Sequence, residues 1–228
     1  MTPDDLIFAQ TVKSTSSLKY ARKVGVKKMT FDGESEIIKI AKYFPEATPL
    51  IRLKVSDEGA TLPLGKKFGT PLNHIKPLLE LAQKYKVNVI GIAFHVGSNM
   101  SRSDQYANAM KDARQAFDFA HNMGFRFKLL DIGGGYPSAH RHASIFEGLA
   151  QDINQALDKY FPKSDPRFAN LEFESEPGRW FTGEFPVVTK VIGEKTDAMT
   201  QKQIVFLNDG RHNSFHSIHV ISLELSVT

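Results

Sequence analysis

Asp131-Ile132-Gly133-Gly134-Gly135-Tyr136-Pro137 sets three glycines directly after an apolar run, so successive backbone N–H groups stand clear of side chains. Bare amides in a row suit a phosphate, because they satisfy its oxygens at close range. The spacing is not the G-x-G-x-x-G of dinucleotide folds, and a turn that only keeps a strand-to-helix connection tight would read the same way. Phe94-His95-Val96-Gly97-Ser98 ends a second apolar run with a flat, titratable ring beside a glycine and a hydroxyl. That ring suits stacking on a planar ligand, and equally a hydrogen-bonded structural role. Glu174-Ser175-Glu176-Pro177-Gly178-Arg179 ends a third run with an acid, a rigid bend and a cation; as an exposed turn its ion pairs would be worth little. Arg52 lies inside the apolar Leu50-Ile51-Arg52-Leu53, where an unpaired charge is costly, so the sequence predicts a partner for it.

A phosphate cradle at Gly133, Gly134 and Gly135, a ring at His95, a strand-end carboxylate at Glu176 and two cations, Arg52 and Arg179, suit pyridoxal 5′-phosphate better than any other common cofactor. A carboxylate keeps the pyridine nitrogen protonated so that the ring accepts electrons, and amides with a cation hold the phosphate. Such a cofactor also needs a lysine amine for its imine. No lysine of this sequence falls convincingly at a strand end.

The elements that must position these residues alternate. Strand-like runs are Leu6 to Ala9, Lys28 to Phe31, Leu50 to Val55, Val87 to Phe94, Phe127 to Ile132 and Leu171 to Ser175. Between them, apolar residues recur with helical spacing from Leu72 to Tyr85, Tyr106 to Met123 and Ile145 to Tyr160. Asp32 is placed to cap a helix carrying Ile37, Ile38 and Ala41, and Gly124 to end the long one. Repeated βα units imply an α/β fold with a parallel sheet, either doubly wound or a (β/α)₈ TIM barrel. The collection of His95, the glycine run and Glu176 at strand C-termini favours the barrel. After Arg179 the pattern changes: Phe185 to Ile192 and Gln203 to Leu207 read as strands separated by the polar stretch Glu194 to Lys202. The expected organisation is a barrel over residues 1–185 and the beginning of a C-terminal β domain over 186–228.

Composition bounds the class. With 228 residues, 41% of them hydrophobic, and 29 Lys+Arg against 25 Asp+Glu, the chain is an ordinary folding sequence, not a disordered or collagen-like one. Having 0 Cys, it can form neither disulfides nor thiolate metal sites, in keeping with a cytoplasmic setting. MTPDDLIFAQ does not read as a secretory signal, and no uncharged run is long enough to span a membrane. Lys13, Lys19, Arg22, Lys23, Lys27 and Lys28 form a local basic segment with no acid between Asp5 and Asp32. It reads as a solvated helix face or a contact for an acidic protein; nucleic acid is not expected, since no aromatic interleaving or binding module accompanies it.

FHVGS, LLDIGGGYP, EPGRW and FLNDGRHNSF, in that order, resemble the motifs of the eukaryotic ornithine decarboxylase family, fold-type III pyridoxal-phosphate enzymes with an alanine-racemase-like barrel. The likeness runs from about Leu6 to about Phe215. It implies decarboxylation of L-ornithine to putrescine, in polyamine biosynthesis, by a homodimer. It further implies that His95 stacks on the cofactor ring, that Glu176 holds the pyridine nitrogen, that Ser98, Gly135 and Arg179 bind the phosphate, and that Arg52 lies near the ring hydroxyl. Antizyme inhibitor, a non-catalytic relative, suggests an alternative in which the segment Lys13 to Lys28 binds antizyme. Against the family pattern, the sequence begins after the first barrel strands and stops early in the β domain. The Schiff-base lysine and the cysteine-containing motif therefore have no counterpart, so this short chain is expected to be inactive alone.

Overall fold

The computed structural model describes residues 1–137, 143–182 and 189–209, and the chain divides into two compact units, Met1–Phe181 and Thr182–Thr228. The first unit is built from β1 (Ile7–Phe8), α1 (Thr15–Val24), β2 (Lys28–Phe31), α2 (Glu34–Tyr43), β3 (Thr48–Arg52), β4 (Ala60–Leu62), α3 (Ile75–Lys84), β5 (Gly91–Ala93), β6 (Ser98–Met100), α4 (Asp104–Asn122), β7 (Leu129–Asp131), α5 (Ala143–Tyr160), β8 (Glu172–Glu174) and α6 (Gly178–Thr182). The second contains β9 (Val191–Thr196) and β10 (Gln203–Leu207), an antiparallel pair with a register shift between Phe206 and Leu207.

Six strands form one sheet in the order β1-β2-β3-β5-β7-β8, and every pairing is parallel. Sequential strands are therefore neighbours, as in a barrel and unlike a doubly wound sheet, whose order reverses at its middle. The sheet also curls. Lys28 on β2 bonds Glu174 on β8, although four strand spacings of ~4.8 Å would separate the two strands by roughly 19 Å in a flat sheet. The first unit is thus an arc of a (β/α)₈ barrel, with the short antiparallel pair β4–β6 set beside the strand ends.

Local sequence explains the elements. Ser14 caps α1 by accepting the Ser17 N–H at 3.0 Å, and Gly25 closes the helix in the left-handed region at φ +83°. In α4, Ala109, Ala113, Ala116 and Ala120 are all buried and admit close approach of neighbouring helices, while Phe117 packs edge-on against Phe127, Phe161 and Phe168. Three expectations change. Asp32 does not cap α2, whose N-cap is Gly33; its Oδ2 instead accepts the Gly69 N–H at 2.8 Å and ties down the loop after β4. Lys13 leaves the basic segment altogether: it is 2% exposed and paired with Glu36 at 3.0 Å. The late strand expected from Phe185 begins at Val191 and runs into the stretch that read as a polar linker, because alternating Glu194 and Thr196 are compatible with an exposed hairpin; positions 185–188 lie outside the described residues.

Candidate functional site

Alternation along the strands sorts the chemistry onto one face. Met29 and Phe31 of β2, Ile51 of β3, Ile92 of β5 and Leu130 of β7 join the main core with the helices, whereas Leu50, Ala93 and Leu129 cluster apart with Ile7 and Ile90. Arg52, Asp131 and Glu174 continue the second set by steps of two, and Glu176 follows Glu174 by two more. The concave side of the arc therefore gathers the charges at the strand C-termini, where barrels keep their chemistry.

The glycine run is fixed by its surroundings. A Cβ on Gly133 (φ +66°) would lie 2.1 Å from the Phe94 carbonyl, and one on Gly135 (φ +107°) 2.3 Å from that of Gly97. Three carbonyls are tied: Gly133 accepts from the Glu176 N–H at 2.9 Å, Gly134 from the Tyr106 hydroxyl at 3.0 Å, and Gly135 from the Met100 N–H at 2.9 Å. The amides differ. The Gly133 N–H donates to Asp131 Oδ1 at 2.8 Å, while those of Gly134 and Gly135 meet no protein acceptor among the described residues. Two open amides, not three, thus face outward.

His95 follows β5. Its Nδ1 accepts the Gly97 N–H at 3.0 Å, which leaves the ring proton on Nε2 when the ring is neutral. Burial, with Arg52 and Arg179 adding repulsion, pushes its pKa down to about 4, so the ring is neutral at ordinary pH. Gly134 sits between this ring and the end of β8: a Cβ there would be 2.7 Å from the Glu176 carbonyl and 3.1 Å from His95 Nε2. Ser98 opens β6 beside the turn, paired with Leu62, and Arg179 lies in the short helix α6, not in the simple bend that the sequence suggested.

The partner expected for Arg52 is not an ion pair among the described residues. Its guanidinium stacks over Phe68 at 4.7 Å, and burial lowers its pKa while the carboxylates of Glu176, Asp32 and Asp131 oppose that shift. Glu176 is itself pushed above the usual carboxylate range by burial, with Arg52 counteracting and Glu174 reinforcing. Asp131 was legible only as part of the glycine motif. It is 2% exposed, and burial, followed by the charge of Glu176, pushes its pKa up to about 7. The signal that marks it is its parity with Leu129. Lys28 and Glu174 share that face through the register of the sheet, whereas Phe68 and Tyr106 carried no such signal.

A parallel barrel arc carries open amides, a neutral histidine ring and buried carboxylates at its strand ends, groups whose chemistry suits a phosphate and a planar ring. Residues 1–183 match the pyridoxal-binding domain of the pyridoxal-dependent decarboxylases, and the chain belongs to that family. It is 37% identical to antizyme inhibitor 2 of Xenopus laevis over 229 residues, covering 96% of this chain and 49% of that one. It is 36% identical to ornithine decarboxylase of Rattus norvegicus, covering 95% of this chain and 49% of the enzyme. The Paramecium bursaria Chlorella virus arginine decarboxylase bound to agmatine superposes with a TM-score of 0.86 at 32% identity, over 98% of this chain and 58% of that structure. The chain thus spans about half the length of the curated relatives it matches. Among the described residues no helix is long and apolar enough to cross a membrane, and no cluster of His, Cys, Asp and Glu is built to hold a metal.

Proposed function

We propose that this protein holds pyridoxal 5′-phosphate at the strand ends and serves the decarboxylation of a basic amino acid, L-ornithine. One observation carries the reading: Gly134 brings the open amides, the His95 ring and the end of β8 within van der Waals reach of one another. The donor set fits the cofactor. The Gly134 and Gly135 amides, with Gly133 shaping the turn and Ser98 and Arg179 beside it, take the phosphate. His95, neutral, stacks on the ring without opposing its positive charge. Glu176 holds the pyridine nitrogen, and Arg52 stands near the ring hydroxyl, its charge opposing the burial that raises the Glu176 pKa. When bound, the cofactor supplies an electron sink for the pair left as carbon dioxide departs.

L-ornithine rests on the rat relative, and the arginine decarboxylase keeps the wider class of basic amino acids in view. A homodimer and a cytoplasmic setting belong to the same reading. Antizyme remains a proposed partner because the first relative is antizyme inhibitor 2 and because Lys19, Lys23 and Lys27 stay exposed on and after α1. Lys13 and Lys28 do not contribute to that surface, and Arg22 is already paired with Glu46 at 2.6 Å.

Calorimetry with pyridoxine 5′-phosphate, which cannot form an imine, tests the site. A dissociation constant on the order of micromolar to millimolar, lost in Arg179→Ala and in Gly134→Ala, is expected. The phosphopyridoxyl adduct of L-ornithine should bind more tightly than those of L-lysine and L-arginine. Binding untouched by either variant would overturn the cofactor reading, and a reversed order of adducts would overturn the substrate.

A further inference from the structure

The Asp131 carboxyl touches the cradle directly, through the amide of Gly133, yet has no part in the function proposed above. We propose that Asp131 is a positioning residue for the cradle: it holds the Gly133 turn in either protonation state and admits a dianion next door only while it carries a proton. The inference rests on the glycine run being the phosphate site.

Geometry supplies the first half. No side chain fits at Gly133, since a Cβ there would meet the Phe94 carbonyl at 2.1 Å, and its one N–H is satisfied by Asp131 Oδ1 at 2.8 Å. With the Glu176 N–H fastening the Gly133 carbonyl at 2.9 Å, the peptide units on both sides of Gly133 are set, and the next two amides are aimed by them. A carbonyl oxygen would serve as acceptor equally well. An aliphatic side chain would orphan the amide.

Charge supplies the second. Asp131 faces Glu174 and Glu176 from β8 and the segment after it, Arg52 from β3, and Tyr136 from the far side of the glycine run, with His95 behind Gly134. Glu174 is in turn paired with Lys28. In that company the carboxyl gives up its proton only near pH 7, and burial at 2% exposure leaves little water to screen the ion that results. A carboxylate one peptide away from the open amides repels the dianion they would hold. Linkage then requires the reverse effect: a bound dianion raises the proton affinity of Asp131, so binding above pH 7 takes up a proton.

Sulfate is the probe, because it stays a dianion across the range while phosphate does not. Its affinity for the full chain is measured by calorimetry from pH 6 to pH 8.5, in buffers of different ionisation enthalpy. The expected result is about a thirtyfold loss of affinity as pH rises from 6 to 8.5, with proton uptake approaching one at the alkaline end. Asp131→Asn should keep the acid-side affinity at every pH and take up no proton, since the amide oxygen still accepts from Gly133. Asp131→Leu should lose binding throughout. Discharge of any histidine would leave its pH dependence intact in Asp131→Asn, so a slope surviving there overturns the proposal. So does a flat profile in the unmutated chain whose sulfate binding Arg179→Ala abolishes, and in that case the cradle stands without the proton. Absence of sulfate binding at every pH overturns both readings.

Discussion

Two titrating residues of the site are shifted in opposite directions, and their effects on stability hide one another. His95 falls from 6.5 to about 4, so between those values the unfolded chain binds a proton that the folded one refuses; stability from this group is full above 6.5 and is lost as pH falls through 4. Asp131 rises from 3.8 to about 7, so the folded chain keeps a proton that the unfolded one has shed; its contribution is full below 3.8 and is lost as pH rises through 7. A tenfold change in proton affinity is equivalent to roughly 1.4 kcal/mol, so the groups are worth up to about 3.5 kcal/mol for His95 and about 4.5 kcal/mol for Asp131. Between the two perturbed values the slopes cancel. Single variants should uncover them. Relative to the parent, Asp131→Asn should gain on raising pH from 4 to 7, and His95→Asn should gain on lowering it from 6.5 to 4, by urea denaturation across that range. If both differences prove independent of pH, the two groups are not buried against their charges as described.

Elements carry a different lesson, visible at the join of β1, α1, β2 and α2. Lys13 Nζ bonds the carbonyls of Gln10 at 3.0 Å and Thr30 at 2.7 Å as well as Glu36 Oε1, while Lys39 reaches Glu36 Oε2 at 2.6 Å. Burial lowers the Lys13 pKa, with Glu36 opposing. Lys13→Met leaves Glu36 buried with only Lys39 and should cost about 3–5 kcal/mol, whereas Lys13→Met with Glu36→Leu should cost less than the sum of the singles. Additive losses in equilibrium denaturation would count against the pair. The sequence could not disclose this latch, because Lys13 and Glu36 share no periodicity, and a cation beside Lys19 and Lys23 reads as surface. Helices were legible: the expected Tyr106 to Met123 is Asp104–Asn122, since a helical stripe repeats long enough to average over errors. Lys28 to Phe31 matches β2, but the other strands of the sheet were misjudged, mostly as too long. Val55 stays buried two residues beyond Leu53, whose bridge to Thr70 extends the pairing past β3, so an apolar run marks burial further than it marks pairing. The pair β4–β6 was invisible because three-residue strands hold no period to detect. Of the candidate site, the motif residues were legible by type, but the diversion of the Gly133 amide turns on a two-residue contact with Asp131 that the glycine run does not announce, and the stacking of Arg52 on Phe68 on a loop contact remote in sequence.

At the scale of the whole molecule, register shows why a lysine and a glutamate 146 positions apart meet. Lys28 is opposite Thr48, two residues before Leu50; Leu50 aligns through Gly91 and Leu129 with Glu172, two residues before Glu174. The offset is four residues over four strand steps, or about one per strand, which is the stagger of an eight-stranded barrel with a shear of eight. Lys28 and Glu174 therefore belong to one layer of the barrel interior, and the β5 residue of that layer is Gly91, where a Cβ would meet the Leu129 carbonyl at 1.9 Å. Such layers are ordinarily filled by branched apolar side chains. Here the pair is 19% and 30% exposed, so water screens it in part, and a coupling of about 1 kcal/mol is expected from the cycle Lys28→Met, Glu174→Leu and both together. Lys28→Met alone has a second consequence. It leaves the Glu174 charge, which already disfavours ionisation of Asp131 and Glu176, without its counter-ion. The pH at which Asp131 loses its proton should then move upward, and with it the pH at which the stability gap between the Asp131→Asn variant and its parent closes. Measuring that gap in the Lys28→Met background tests both the layer and the charge coupling: an unchanged midpoint would mean that Glu174 and Asp131 do not share the concave face.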